Sequence, residues 1–127
     1  MSARKSVAPS GATAEDGVPA VSANQVRLLG RVSADPEERV LPSGDVVWTF
    51  RVVVPRPESD ARTRVDALDC VAWTARSRRS VGSWRAGDVV EVEGAMRRRF
   101  FRTGAGAASR VEVEVSRGRL VRRAATG

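Results

Sequence analysis

The segment Val89-Val90-Glu91-Val92-Glu93-Gly94-Ala95-Met96-Arg97-Arg98-Arg99-Phe100-Phe101 carries the strongest structural signal in the chain. Its first half alternates valine with glutamate at period two, the spacing of a strand with one dry and one wet face. Its second half interleaves arginine with phenylalanine. On a strand, Arg97, Arg99 and Phe101 share one face while Arg98, Phe100 and Arg102 share the other. Each surface then carries an aromatic ring beside guanidinium groups. Solvated charge accounts for an arginine cluster, but not for two phenylalanines set inside it. Gly104-Ala105-Gly106 supplies a turn, and Arg110–Val115 alternates again, with Arg and Glu expected outside and Val inside.

The same period appears upstream. Val26, Leu28, Gly30 and Val32 alternate with Arg27, Leu29 and Arg31, and Pro42-Ser43-Gly44 reads as a hairpin turn. Val46–Val54 is dense in β-branched and aromatic residues, with Trp48, Phe50, Val52 and Val54 on one face. Pro55 and Pro57 end that strand, because proline cannot donate to a sheet ladder. Residues 55–64 form a polar loop, and Val65–Thr74 returns to strand composition. One helix is expected, Ala75–Arg85, with its arginines outside, Val81 and Trp84 three apart, and Gly87 as the stop. The result is an all-β chain of five or six strands with one short inserted helix, an order that a small closed barrel accommodates.

Residues 1–23 are rich in Ala, Ser, Gly and Pro without apolar periodicity, and are expected to be a disordered tail. They lack the continuous apolar stretch of a signal peptide, and no run approaches the ~18 apolar residues of a membrane span. A soluble, cytoplasmic protein with no membrane partner is expected. The domain is expected over 24–123, with 124–127 as a short end.

The chain carries 22 Lys+Arg against 15 Asp+Glu, a net charge of +7. Residues 1–23 are neutral, residues 24–96 balance eleven arginines against eleven acids, and residues 97–123 hold nine arginines against Glu112 and Glu114. A neutral body with one basic end points to a polyanion, either nucleic acid or an acidic surface. Of the cations only Lys5 is lysine, and guanidinium suits phosphate because it binds as a fork and stacks on bases. With no histidine and one cysteine, zinc sites and Ser-His-Asp or Cys-His catalysis lack their residues. No cofactor is expected.

Trp73 stands at a strand end just before Arg76, Arg78 and Arg79, and serves either to stack bases or to cap the barrel core. Trp48 is in phase with Phe50 and Val52 and is expected to pack in the core. Trp84 is expected to bury from the helix, and Cys70 to behave as a small buried hydrophobe. The pairs Glu91/Glu93 and Glu112/Glu114 alternate with valine, which reads as a solvated face rather than as acid/base machinery.

In order along the chain, five stretches resemble the bacterial single-stranded DNA-binding protein family. They are Asn24 through Val32, Asp35-Pro36-Glu37 with Arg39 and Ser43-Gly44, Phe50 through Val54, Cys70-Val71-Ala72-Trp73, and Trp84 through Gly94 followed by Arg97, Arg99 and Phe101. The resemblance covers about residues 24–121. It implies an OB-fold barrel, non-catalytic and a homo-oligomer (commonly a tetramer), that binds single-stranded DNA without sequence preference in replication, repair or recombination. By position it places Trp73 and Phe101 at stacking sites, and Arg97, Arg99, Arg76 and Arg39 at backbone contacts; Phe100 is a further stacking candidate. The loop over 55–64 and Ala67-Leu68 lack aromatics that many members carry. No counterpart of the family's acidic tip occurs in the 127 residues, so recruitment of repair enzymes through one is not expected, and an accessory paralogue is. The alternative is a primosomal or oligomeric protein-interaction barrel that binds an acidic partner or RNA.

Overall fold

The computed structural model describes residues 21–57 and 64–125. Most of the expected tail and the centre of the polar loop lie outside the described residues. The elements are β1 (Val26–Val32), β2 (Glu37–Val40), β3 (Val46–Pro55), β4 (Val65–Ala72), α1 (Ala75–Gly82), β5 (Val89–Thr103) and β6 (Gly106–Arg122). Hydrogen bonding runs β1-β5-β6-β4-β3 and returns from β3 to β1, so five strands close a barrel. The first half of β3 pairs with β2 and its second half with β1, which leaves β2 as a flap outside the ring.

Alternation places the core. Val32, Phe50, Val52, Cys70, Ala72, Val90, Val92, Val113 and Val115 point inward and are buried, and Trp48 packs against them. Trp84 fills the barrel end at 1% exposure and meets Phe50 edge-on, with ring centroids 5.4 Å apart. Each fully buried valine or phenylalanine among them contributes about 1.5–3 kcal/mol through burial. Hairpin geometry follows the sequence: Gly44 adopts φ 93°, and the Leu41 and Asp45 backbones close the turn.

Helix α1 is shorter than the sequence predicts. Thr74 caps its start by accepting from the Ser77 N–H at 3.1 Å. At the other end, the Ser83 N–H and hydroxyl both donate to the Ser80 carbonyl, the chain tightens, and the helix stops at Gly82. Trp84 therefore enters the core from the turn after the helix, not from its face. That turn is held by Asp88, whose carboxylate accepts from the backbone N–H groups of Arg85 and Ala124 and from the Arg123 guanidinium.

The β5–β6 hairpin is longer than the barrel needs. Pairing with β1 ends at Val26↔Gly94, while pairing between β5 and β6 continues to Thr103↔Gly106. Residues beyond Met96 thus form a two-stranded arm. At its root the register shifts between Glu93 and Gly94, and a Cβ on Gly94 would lie 2.0 Å from the Glu114 carbonyl oxygen. Only glycine permits that approach. Among the described residues no helix is long and apolar enough to cross a membrane.

Candidate nucleic-acid interface

Residues of β2, β3, β4 and β6, together with the arm, line two adjoining grooves. On β4, Cys70 and Ala72 point inward, so Val71 and, continuing the phase, Trp73 point outward. Thr49 lies opposite Val71, and Val47 lies opposite Arg39. Val47 and Val71 are on the outside of the barrel yet only 2% and 3% exposed, because they floor a groove of about 330 Å³ shared with Arg39, Trp73, Arg99, Phe100 and Phe101. A second groove of about 300 Å³ adjoins it and shares Arg39, Thr49, Arg110 and Glu112.

Five of the sequence-predicted site residues meet in the first groove: Arg39, Trp73, Arg99, Phe100 and Phe101. Phe100 is 78% exposed and Phe101 42% exposed, at the arm's outer part. Trp73 is half-buried, and the Arg99 guanidinium carbon lies over its ring, 5.0 Å from the centroid. The indole Nε1 is buried with no acceptor among the described residues, so packing and the guanidinium hold the ring, not a hydrogen bond. Arg97 lies nearby on the arm, its Nε donating to Glu114 at 2.7 Å. Arg76 is placed elsewhere. It sits in a cleft of about 340 Å³ between α1 and β6, with Ser80, Arg117 and Arg119.

Two residues of the groove escape the sequence reading. Arg110 faces Arg99 across the β5–β6 ladder, and Glu112 faces Arg97. Pairing the two alternating stretches about the Gly104–Gly106 turn would have found both. Glu112 also corrects an expectation, since it does not lie on a solvated face. Its side chain is 8% exposed, and it accepts from Arg99 Nε at 2.9 Å with Arg110 Nε at 3.5 Å. Val111, expected inside, is 39% exposed because it lies on the arm beyond the barrel. Glu91 is likewise sequestered, with its side chain 13% exposed between Arg27 and Arg119. Hydrogen bonds from Arg119, and then from Arg27, outweigh partial desolvation and hold its carboxyl below the usual carboxylate range.

The chemistry of the groove is that of stacking and charge. Three aromatic rings and three arginines line it, with one buried carboxylate among them. A sequence comparison decides the relationship: the description of the single-strand binding protein family matches residues 23–121. The chain belongs to that family. Within it, the chain is 32% identical over 80 residues to the single-stranded DNA-binding protein of Oceanobacillus iheyensis, covering 61% of this chain and 50% of that one. It is 30% identical over 80 residues to single-stranded DNA-binding protein A of Bacillus subtilis, covering 61% and 46%. The chain spans about half the length of these curated relatives. Among solved structures it is similar to the Plasmodium falciparum SSB in complex with ssDNA, at 24% identity and a TM-score of 0.65, covering 80% of this chain and 95% of that one. The closed five-stranded barrel with its single helix is an OB-fold.

Proposed function

We propose that the chain binds single-stranded DNA without catalysis and largely irrespective of sequence, in replication, repair or recombination. The observation that carries this reading is the placement of Trp73, Phe100 and Phe101 in one groove with Arg39, Arg99 and Arg110. A single strand offers unpaired bases and a phosphate at every step. Rings stack on any base because every base has a π-face, and guanidinium forks hold the phosphates. Family membership supports the reading, and the similar Plasmodium falciparum protein is described as a complex with ssDNA. Homo-oligomerisation belongs to the same proposal: β1 pairs with β3 only at Arg31 and Val32, which leaves the outer edge of Val26–Gly30 open to a second copy among the described residues.

Titration of tryptophan fluorescence with oligo-dT across a salt series tests the binding. Quenching by oligo-dT is expected, with log affinity falling at about −0.7 per neutralised phosphate on log salt. Equal affinity for duplex DNA, or no quenching, would overturn it. Preference for oligo-U would make the partner RNA, and light scattering that gives a monomer mass would remove the oligomer.

A further inference from the structure

Arg99 occupies the surface that a base needs. Its guanidinium carbon lies over the Trp73 ring at 5.0 Å from the centroid, and its Nε donates to Glu112 Oε2 at 2.9 Å. The Glu112 side chain is 8% exposed on the groove wall, with Arg110 Nε 3.5 Å from its other oxygen. A ring face under a guanidinium group does not accept a base, and a fixed carboxylate in a groove built for a polyanion repels phosphate. Movement of the Arg99 side chain uncovers the ring and carries its charge to the phosphate, while Arg110 stays beside the carboxylate. Only Nε of Arg99 donates to Glu112, and among the described residues neither Nη group has a hydrogen-bond partner, so the outer edge of the guanidinium can meet an incoming anion.

We propose that Glu112 is an internal stand-in for phosphate, latching Arg99 across Trp73 in the free protein until a backbone phosphate takes Arg99 and uncovers the ring for a base. The inference rests on the single-stranded DNA reading above. It makes stacking at Trp73 conditional on a phosphate within reach of Arg99. A strand with a continuous backbone therefore opens the site, and a nucleoside without phosphate does not. The Nε bond to a carboxylate is exchanged for a two-point bond to phosphate, which offsets the loss of the carboxylate contact.

Glu112→Gln tests the exchange, because glutamine keeps an acceptor oxygen for Arg99 Nε and removes the charge. The variant is expected to bind oligo-dT roughly two- to fivefold more tightly, because no carboxylate competes with the phosphate for Arg99. Without DNA, acrylamide should quench its tryptophan fluorescence more than that of the wild type, since Trp48 packs on the core and Trp84 is buried. Arg99→Gln, at a side chain 38% exposed, should also increase acrylamide quenching, and adding Glu112→Gln to it should yield little further affinity. Wild type that binds while Glu112→Gln binds no more tightly overturns the inference alone. A gain of the same size in the Arg99→Gln background also overturns it, by showing repulsion without a latch. Should Glu112→Gln fail to fold, unchanged quenching in Arg99→Gln still overturns it. Wild type that binds no oligo-dT removes the underlying reading, and the exchange with it.

Discussion

The Asn24 side chain exchanges two hydrogen bonds with the Met96 backbone: its amide nitrogen donates to the Met96 carbonyl and its oxygen accepts from the Met96 N–H, each at 2.9 Å. A carboxamide carries the same donor and acceptor as a peptide group, so Asn24 extends the β1–β5 ladder one step past Val26↔Gly94. It does so where β5 leaves the barrel and becomes the arm that carries Phe100 and Phe101. A two-stranded ribbon is marginal by itself, and its anchorage at the root governs its order.

Asn24→Ala is therefore expected to fray the arm from its root. Each lost bond should cost roughly 0.5–1.5 kcal/mol, concentrated in local opening and not in global unfolding. Hydrogen exchange reads this directly: the Met96 amide should exchange faster, while amides of core residues such as Val52 hold their rates. Unchanged exchange at Met96 would show that the arm is anchored by the β5–β6 ladder alone.

Asp88 should contribute to the acid limb of the stability curve. Its residue is 1% exposed, and burial alone would raise its pKa. Backbone hydrogen bonds from Ala124 and Arg85, then the Arg123 guanidinium, outweigh burial and hold the carboxyl below its ordinary value. The folded value is depressed, so the stabilisation is present above the unfolded value of about 3.9 and is lost as the pH falls through the folded one. Asp88→Asn keeps an acceptor but loses the charge, and should cost roughly 1–3 kcal/mol at neutral pH. Thermal melts from pH 7 down to 2 should show a shallower acid decline for the variant than for the wild type.

Periodicity made the barrel legible because a barrel strand has one buried face, and Val90, Val92, Val113 and Val115 advertise it. Trp73, with core capping as its alternative, and the Arg/Phe run stood out in the sequence as rings beside arginines, and the structure brings Trp73, Phe100 and Phe101 to one groove. The groove floor was hidden for the converse reason. Val47 and Val71 are valines on the outer face, and a strand buried on both faces loses its alternation. Glu112 was hidden because alternation assigns it to the outside correctly but cannot say that the outside is roofed by Arg99 and Arg110. Arg76 lies on α1, whose position around the barrel depends on the crossover and not on spacing.

Cys70 should be inert as a nucleophile. Burial, then the charges of Asp69 and Glu112, push its thiol up to about 12, so the thiolate that reacts is absent near neutral pH. A disulfide reagent at pH 8 should label the native protein far more slowly than the denatured chain. The sign of the linkage follows: the folded pKa is raised above the unfolded value of about 8.5, so the contribution is full below 8.5 and is lost as pH rises toward 12. Cys70→Ala should remove that part of the alkaline decline, and rapid labelling of the native thiol would contradict its burial.

Ring and charge contributions in the groove separate by salt. Phe100 and Phe101 carry no charge, and stacking by one ring is worth about 1–3 kcal/mol per base, so replacing either by alanine should weaken oligo-dT binding roughly 5- to 150-fold at every salt concentration. The salt slope should not change, because no counterion release is lost. Arg39 is exposed on β2 and has no ion pair among the described residues, so it is free to meet a phosphate. Arg39→Ala should weaken binding mainly at low salt and flatten the slope by about 0.7. Arg76→Ala supplies the spatial control, since Arg76 lines the cleft between α1 and β6 and not this groove. If DNA passes only through the groove, its loss should leave both affinity and slope close to wild type. A flattened slope in Arg76→Ala would extend the path of the strand around the barrel to α1.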